Sequence, residues 1–308
     1  MRRTVGLGCL VAAVFCSLYV AETCCSADDS QELRRAVVRG SFGTYDGAPR
    51  GKDKHVDIPR LLDQLADLRA NTYHWLIWKG VDDWGDLAKF LPLARQRGIS
   101  VWVCLIPPSE SPPNSKNFSE PYQLDYERWA TEIAKLSVRE PNLKAWSIDD
   151  FGYNVKILTP NRMAQIVAAT RQINPKLAFV PCLYFAKDAA NPKFVEKYRD
   201  VVDGILFPYR HESVKADLTD ASQVCAEIKK IRELWGPSTP VILDVYSHPH
   251  SRLGSSTPDY VRQVMTAGKQ CADGVHIYCH PNPKAHAEKY GIIKELFHEW
   301  ATEEDVLY

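Results

Sequence analysis

The sequence has no excess of charge of either sign, because 38 Lys and Arg residues balance 38 Asp and Glu residues among 308. Proteins that bind nucleic acid or an anionic membrane surface usually carry a basic patch or a high positive charge. The composition therefore argues against both kinds of partner. The glycine-rich loops that hold nucleotide phosphates are also missing: neither G-x-G-x-x-G nor G-x-x-x-x-G-K-[ST] follows any strand-like segment. We predict a protein that uses no cofactor.

Long apolar segments are scarce as well. Beyond residue 27 no run is long and apolar enough to span a bilayer. Before it, Arg2 and Arg3 precede an apolar stretch from Val5 to Val20, and small residues stand just before Asp28. This order is typical of a cleaved secretion signal. We expect residues 1–27 to be a signal peptide and the protein to be exported, either to a periplasm or to the medium.

Cysteine is infrequent once that signal is set aside. Five cysteines remain, with no C-x-x-C pair: Cys104, Cys182, Cys225, Cys271 and Cys279. An odd number of widely spaced cysteines in a large chain argues against a disulfide framework. One disulfide is compatible with an oxidising compartment, and the spacing does not select its pair.

The chain contains eight short β-type segments rich in Val, Ile, Trp and Tyr. They are Val38–Tyr45, Thr72–Trp78, Ser100–Ile106, Lys144–Ile148, Leu177–Tyr184, Gly204–Tyr209, Val241–Tyr246 and Val275–Cys279. Helical patterns separate them, such as Ile58–Arg69 with its leucine stripe. Strands that alternate with helices predict parallel βαβ units. Eight units without a linker favour a closed barrel over a doubly wound open sheet, so we predict that residues 28–308 form a single (β/α)₈ TIM barrel.

Aromatic and ionisable side chains concentrate where the predicted strands end, whereas the opposite ends carry turn residues such as Asn174 and Pro175. In barrels of this kind the active site lies at the C-terminal ends of the strands. Taken singly, a polar residue at such a position is also explained by a solvated loop, and a single Trp is better explained by packing in the barrel core. As a set they are our candidate substrate-binding residues: Asp46, Trp75, Trp78, Tyr184, Tyr209, Arg210, Tyr246, His248, Tyr278 and His280.

The alternation of side chains along a strand selects candidate catalytic groups. On the fourth strand Trp146 and Ile148 suit the helix layer, which turns Asp149 towards the barrel interior. The same alternation turns Asp244 inwards on the seventh strand. A buried carboxylate is costly unless it is paired or functional, and the alternative is a structural network with Tyr and His. The candidate catalytic residues are Asp149, Asp150, Glu212 and Asp244, although Asp150 is also suited to capping a loop.

The segment A-W-S-I-D-D-F-G at residues 145–152, together with the eightfold alternation, resembles the superfamily of (β/α)₈ glycoside hydrolases. Many of these enzymes place a catalytic carboxylate at the end of the fourth strand. The resemblance implies an oligo- or polysaccharide substrate and cleavage by two carboxylates. Asp149, ahead of Asp150, would take one role, and Asp244 or Glu212 the other. The chitinase-type pattern D-x-x-D-x-D-x-E is not matched, so no individual family is indicated.

Two other functions fit the same residues. A metal-dependent hydrolase or lyase would use the Asp pair with nearby histidines; the candidate ligands are His211, His248, His250 and His280. A catalytically inactive barrel would keep the aromatic mouth only to bind carbohydrate. The sequence indicates neither the sugar nor the oligomeric state.

Overall fold

The computed structural model describes residues 27–301 except residues 79 and 81. Eight parallel strands form one sheet. They are β1 (Ser41–Tyr45), β2 (Thr72–Ile77), β3 (Ser100–Leu105), β4 (Leu143–Ile148), β5 (Ala178–Phe179), β6 (Ile205–Pro208), β7 (Val241–Tyr246) and β8 (Gly274–Tyr278). All eight predicted strands are present. The predicted signal peptide lies outside the described residues, apart from Ala27.

The sheet curls until its two end strands meet. Its order is β5-β4-β3-β2-β1-β8-β7-β6, so β1 pairs with β8. An isolated parallel bridge between Cys182 and Leu206 joins the chain after β5 to β6. The predicted fifth strand is corrected to two residues, because Pro181 has no N–H to give to a ladder. Its carbonyl instead accepts a hydrogen bond from the Leu206 amide at 3.1 Å, which helps to close the barrel.

Nine α-helices lie within the described residues. They are α1 (Ala27–Ala36), α2 (Ile58–Leu68), α3 (Asp83–Gln96), α4 (Tyr126–Arg139), α5 (Pro160–Ile173), α6 (Pro192–Tyr198), α7 (Val224–Trp235), α8 (Pro258–Cys271) and α9 (Ala287–Trp300). The sequence did not predict α1. It packs at the N-terminal end of the barrel, where Arg34 pairs with the fully buried Asp203 at 2.9 Å. None of the described helices has the length and apolar character needed to cross a membrane.

Short sequence signals set the helix starts. Thr159 and Thr257 accept hydrogen bonds from the backbone amides three residues later, and each is followed by proline in the first turn. In α2, Asp57 caps the start, and four leucines of the predicted stripe are buried. These local signals fix where each helix begins and which face it turns to the sheet.

The predicted alternation on β4 is confirmed. Trp146 and Ile148 pack in the large core between sheet and helices, whereas Ala145 packs inside the barrel with Trp102. The hydroxyl of Ser147 also points inwards and forms a hydrogen bond with the His74 ring at 3.0 Å. The next inward position on this strand path is residue 149, so the pleat of β4 places a carboxylate above the filled interior.

One disulfide bond joins two neighbouring helices on the outside of the barrel. Cys225 of α7 is bonded to Cys271 of α8. Among the remaining described cysteines, Cys104 and Cys182 are buried free thiols, and Cys279 is a partly buried one.

Candidate active site

A cavity of about 390 Å³ opens at the C-terminal ends of the strands. We call it the central cavity. Its lining residues are Tyr45, Glu110, Asp149, Asp150, Cys182, Tyr184, Pro208, Asp244, Tyr246, Pro249, His250, Ser251, Arg252 and Tyr278. The lining therefore combines four carboxyl groups and four tyrosines with one histidine and one arginine.

Asp149 follows directly after β4, and its side chain is held by two donors. The Tyr45 hydroxyl donates to Oδ2 at 3.1 Å, and the backbone amide of Asp150 donates to Oδ1 at 3.0 Å. Burial, together with the nearby charges of Asp150 and Glu110, raises the pKa of Asp149 to about 7. Water still reaches the residue through the cavity, since it is only partly buried.

Asp244 lies on β7, as the alternation predicted, and is 2% exposed. Burial raises its pKa well above the usual value, and the charge of Asp149 adds to the effect. Its Oδ1 atom has no hydrogen-bond partner among the described residues. The central cavity thus contains a deep carboxyl group that favours its protonated form.

Asp150 adopts a backbone conformation that non-glycine residues rarely take, with φ at 44°. The Tyr184 hydroxyl donates to its Oδ1 at 2.7 Å. Two other residues just beyond strands share the positive φ, Asp46 at 54° and His211 at 54°. Such strain tends to cluster at functional sites, and here it marks the C-terminal face of the barrel.

Three predicted binding residues, Tyr184, Tyr246 and Tyr278, do line the central cavity. Tyr278 packs against Tyr45 and Tyr246, with ring centres 5.1 and 5.3 Å apart. Burial raises the pKa of Tyr246, so its hydroxyl stays protonated and can donate a hydrogen bond. The four tyrosines give the cavity apolar faces with hydrogen-bonding edges.

Two other predicted residues, Trp75 and Tyr209, are corrected, because they pack under the helices. Trp75 stacks against Phe90 of α3, and its ring N–H donates to the Asp83 carbonyl. Tyr209 is fully buried against Tyr260 of α8. The strand alternation did not reveal this for Tyr209, since β6 ends one residue earlier, at Pro208.

His280 and His248 were predicted to bind substrate, but they do not line the central cavity. His280 forms hydrogen bonds with Thr44 at 2.8 Å and with Gln64 at 3.0 Å on the helix side. The reason is that β8 ends at Tyr278, so its alternation does not extend to residue 280. His248 packs edge-on against His286, with ring centres 4.3 Å apart.

Asp46, Trp78 and Arg210 lie beside the central cavity without lining it. Asp46 and Trp75 line a separate hollow of about 270 Å³. Trp78 belongs to a buried cluster with Tyr45 and Tyr278 that supports the cavity wall. The Arg210 guanidinium lies 4.0 Å above the Tyr184 ring.

Glu212, one of the two candidates for the second carboxylate, forms an ion pair outside the central cavity. Its Oε1 pairs with Arg210, and its Oε2 accepts a hydrogen bond from the Ala186 amide at 3.0 Å. It is not among the residues that line the central cavity. The geometry therefore brings Asp149 and Asp244 together and leaves Glu212 in a structural ion pair.

The histidines of the metal hypothesis do not converge. Among them only His250 lines the central cavity, and its Nδ1 accepts hydrogen bonds from the amides of Arg252 and Leu253. His211 is paired with Asp217. A different set could hold a metal ion: one atom each from Asp149, Asp150 and Cys182 lie within 4.8 Å of one another.

Sequence reasoning did not select Tyr45, Glu110, Cys182 or Arg252 for the site. Tyr45 had a usable signal, because inward alternation on β1 reaches it as the last strand residue. Cys182 is a buried free thiol that also lines the central cavity. Glu110 and Arg252 lie in loops, where no periodicity predicts a direction.

No protein-family model and no curated protein sequence matches the chain. Solved structures match its fold. A glucosidase from Croceicoccus marinus aligns with a TM-score of 0.61 and 13% identity over 86% of this chain and 68% of its own. An endoglucanase from Pseudomonas stutzeri aligns with a TM-score of 0.54 and 13% identity over 83% of this chain and 93% of its own.

A β-D-glucuronidase from Dictyoglomus thermophilum aligns with a TM-score of 0.55 and 16% identity over 85% of this chain. The alignment spans 50% of that enzyme's length. Together these matches show that the chain has a (β/α)₈ glycoside hydrolase-like fold. At such identities the likeness concerns the fold alone.

Proposed function

We propose that the chain hydrolyses glycosidic bonds and that Asp149 and Asp244 are the reacting carboxyl pair. One observation carries this proposal: both groups line one cavity, and neither forms an ion pair with a described residue. The buried Asp203 at the N-terminal end of the barrel shows how a carboxylate with a structural role is stabilised, because Arg34 and Arg171 neutralise its charge. Carboxyl groups left without a cation in a water-accessible cavity are better suited to chemistry than to stability.

The surroundings of the two carboxyl groups differ, which assigns them different roles. Both oxygens of Asp149 accept hydrogen bonds, and this favours its ionised form. Asp244 is deeper, and its Oδ1 lacks a partner in the described part of the chain, which favours its protonated form. The two groups titrate as a pair. We therefore assign Asp244 as the general acid and Asp149 as the nucleophile or base.

The reaction then needs only these two groups and water. Asp244 gives its proton to the leaving oxygen as the bond from the anomeric carbon to that oxygen breaks. Asp149 either attacks the anomeric carbon or takes a proton from the attacking water. The first course retains the anomeric configuration and the second inverts it, which NMR of the first-formed product distinguishes. The four tyrosine rings offer stacking faces for the sugar.

A leaving-group series tests the two roles. The substrate is the sugar that is turned over in a panel of nitrophenyl glycosides, offered with a phenyl and a dinitrophenyl leaving group. Asp244→Asn should lower kcat/KM roughly 10³-fold for the phenyl glycoside and less than about tenfold for the dinitrophenyl glycoside, which hardly needs an acid. Asp149→Asn should lower both by a similar, large factor.

The control is Asp200→Asn, which removes one carboxylate from an exposed position outside the cavity. The opposite leaving-group pattern would exchange the two roles. Parental rates in both folded variants would exclude the pair altogether. Binding of oligosaccharides without turnover of any glycoside would instead support the carbohydrate-binding barrel.

A metal-dependent hydrolase is the second candidate, because Asp149, Asp150 and Cys182 form a compact set of possible ligands. Two carboxylates and one thiolate suit a zinc-type ion. This candidate predicts that dialysis against a chelator abolishes activity and that added Zn²⁺ restores it. It also predicts that Cys182→Ala is as damaging as Asp149→Asn, whereas the carboxylate mechanism predicts a much milder effect.

We further propose that the protein is exported. The disulfide between Cys225 and Cys271 supports this, because disulfides persist in oxidising compartments and are rare in a reducing cytosol. The measurement is the N-terminal sequence of the protein purified from its natural host, fractionated by compartment. A mature chain that begins near residue 28 outside the cytosol is expected, and an intact N-terminus in the cytosol would contradict export.

A further inference from the structure

A second hollow of about 360 Å³ lies next to the central cavity. We call it the flanking pocket. Its lining residues are Gly152, Val155, Pro160, Lys187, Asp188, Asn191, Lys193, Phe194, Lys197 and Tyr198. The loop after β4, the first residue of α5, the turn after β5 and helix α6 with its cap residue supply these residues. The flanking pocket therefore borders the same end of the barrel.

The wall of the flanking pocket contains a buried carboxyl group that is only half satisfied. Asp188 is 1% exposed, and its Oδ2 accepts a hydrogen bond from the Tyr184 amide at 3.2 Å. Its Oδ1 has no partner among the residues described. Gly152 makes room for this arrangement, since a Cβ there would meet Oδ1 at 1.8 Å. A buried polar atom without a partner is costly, and a ligand with a hydrogen-bonding group would remove that cost.

Positive charge surrounds the flanking pocket. Lys193 and Lys197 are exposed, lie one helical turn apart on α6 and line it together with Lys187. The Lys187 ammonium lies 3.2 Å from the centre of the Tyr153 ring. Burial raises the pKa of Asp188 to about 7, so its own negative charge is partly suppressed near neutral pH. The net character of the flanking pocket is cationic.

The floor of the flanking pocket is apolar. Phe194 and Tyr198 are stacked with ring centres 4.6 Å apart, and both are buried. A volume of about 360 Å³ lies in the range of small-molecule sites and exceeds the needs of an inorganic anion. A cationic rim over an aromatic floor suits a ring that carries an anionic group.

We propose that the flanking pocket binds an anionic sugar residue, one that carries a carboxylate or a sulfate ester. Tyr184 forms the wall between the two sites: its amide donates to Asp188, and its hydroxyl donates to Asp150 in the central cavity. An anionic residue in the flanking pocket is therefore one wall away from the reacting bond. The choice of a sugar as the carrier of the charge rests on the proposed function.

Calorimetric titration tests this inference without following hydrolysis, so its failure leaves the test of the proposed function untouched. The full chain carrying Asp149→Asn is titrated with glucuronic acid, glucose 6-sulfate, glucose and inorganic sulfate. The expected result is binding of at least one anionic sugar at least tenfold more tightly than glucose. The comparison of the carboxylated with the sulfated sugar identifies the preferred anion.

The decisive variant is Lys193→Gln with Lys197→Gln, and its matched control is Lys176→Gln with Lys215→Gln, two exposed lysines outside the flanking pocket. The pocket variant should weaken binding of the anionic sugar at least fivefold and the control less than twofold. Equal weakening by both variants, or equal affinity for glucose, would overturn the proposal. Sulfate bound as tightly as the sugars would reduce the pocket to an inorganic-anion site and overturn it too.

Discussion

The central cavity and the flanking pocket share a wall but differ in charge. Four carboxyl groups line the central cavity, whereas three lysines and one buried carboxyl group line the flanking pocket. We therefore expect the flanking pocket to bind an anion more readily than the central cavity does. A single barrel face can thus present two hollows with different charge, since each loop after a strand contributes its own charged side chains.

The pairing of buried carboxyl groups also differs between these two sites and the N-terminal end of the barrel. Asp203 there is held by two arginines and by the Phe179 amide. Asp244 and Asp188 each keep one oxygen without a partner among the described residues. The buried Asp203 is thus neutralised by two cations, whereas Asp244 and Asp188, which face the two sites, each retain an oxygen without a hydrogen-bond partner in the described part of the chain.

The largest expected effect comes from removing both reacting groups. Asp149→Asn combined with Asp244→Asn should lower kcat/KM by roughly 10³–10⁴-fold, no more than the worse single variant, because the two groups act as a unit. Binding of the anionic sugar in the flanking pocket should change less than twofold. Kinetics and calorimetry on the three variants measure this. A multiplicative loss would show that Asp149 and Asp244 do not act as a unit. Loss of sugar binding would show that the central cavity and the flanking pocket are not separate sites.

A smaller effect is expected where Glu212 supports the shared wall. Glu212→Gln leaves Arg210, which lies over Tyr184, as a buried cation without its counter-ion. The free energy of unfolding should fall by about 3 kcal/mol, and activity of the folded variant should fall less than tenfold. Denaturant unfolding and steady-state kinetics measure the two quantities. A loss of activity near 10³-fold with unchanged stability would return Glu212 to the catalytic candidates.

The pH dependence of kcat/KM should have two limbs, one for each reacting carboxyl group, and along each limb kcat/KM should change by about tenfold per pH unit. Activity requires ionised Asp149, so kcat/KM should rise with pH up to about 7. It requires protonated Asp244, so the rate should decline again at higher pH. Kinetics across the range from acid to alkaline pH measure both limbs. A profile that only falls as pH rises would contradict ionised Asp149 as the working form.

The raised pKa of Asp149 also has a consequence for stability. Its folded-state pKa of about 7 lies above the unfolded value, so its contribution to stability is present at low pH and lost as pH rises through 7. Asp149→Asn should therefore raise the melting temperature relative to the parent more at pH 8 than at pH 4. Thermal unfolding at the two pH values checks the sign.

The smallest effect is expected at the wall itself. Tyr184→Phe removes the hydroxyl that donates to Asp150 but keeps the amide that donates to Asp188. A single hydrogen bond contributes about 1 kcal/mol, so kcat/KM should fall about fivefold, while binding in the flanking pocket should hardly change. Parallel kinetics and calorimetry test this. Equal losses in both would mean that the ring, not the hydroxyl, couples the two sites.

The barrel and the orientation of its key strands could be predicted from local sequence patterns. Eight apolar segments alternating with capped helices leave few other topologies, and the alternation on β4 and β7 placed Asp149 and Asp244 in one cavity. These features depend on local periodicity, which is written in neighbouring residues.

The positions of side chains beyond the strand ends could not be predicted from the sequence in the same way. Tyr209 and His280 follow strand ends, yet the structure turns them under the helices, whereas Glu110 and Arg252 enter the central cavity from loops. The pairing of Glu212 with Arg210 likewise depends on where two side chains meet. Outside regular elements no period fixes a side chain's direction, so long-range packing and charge pairing decide which polar groups are left free for chemistry.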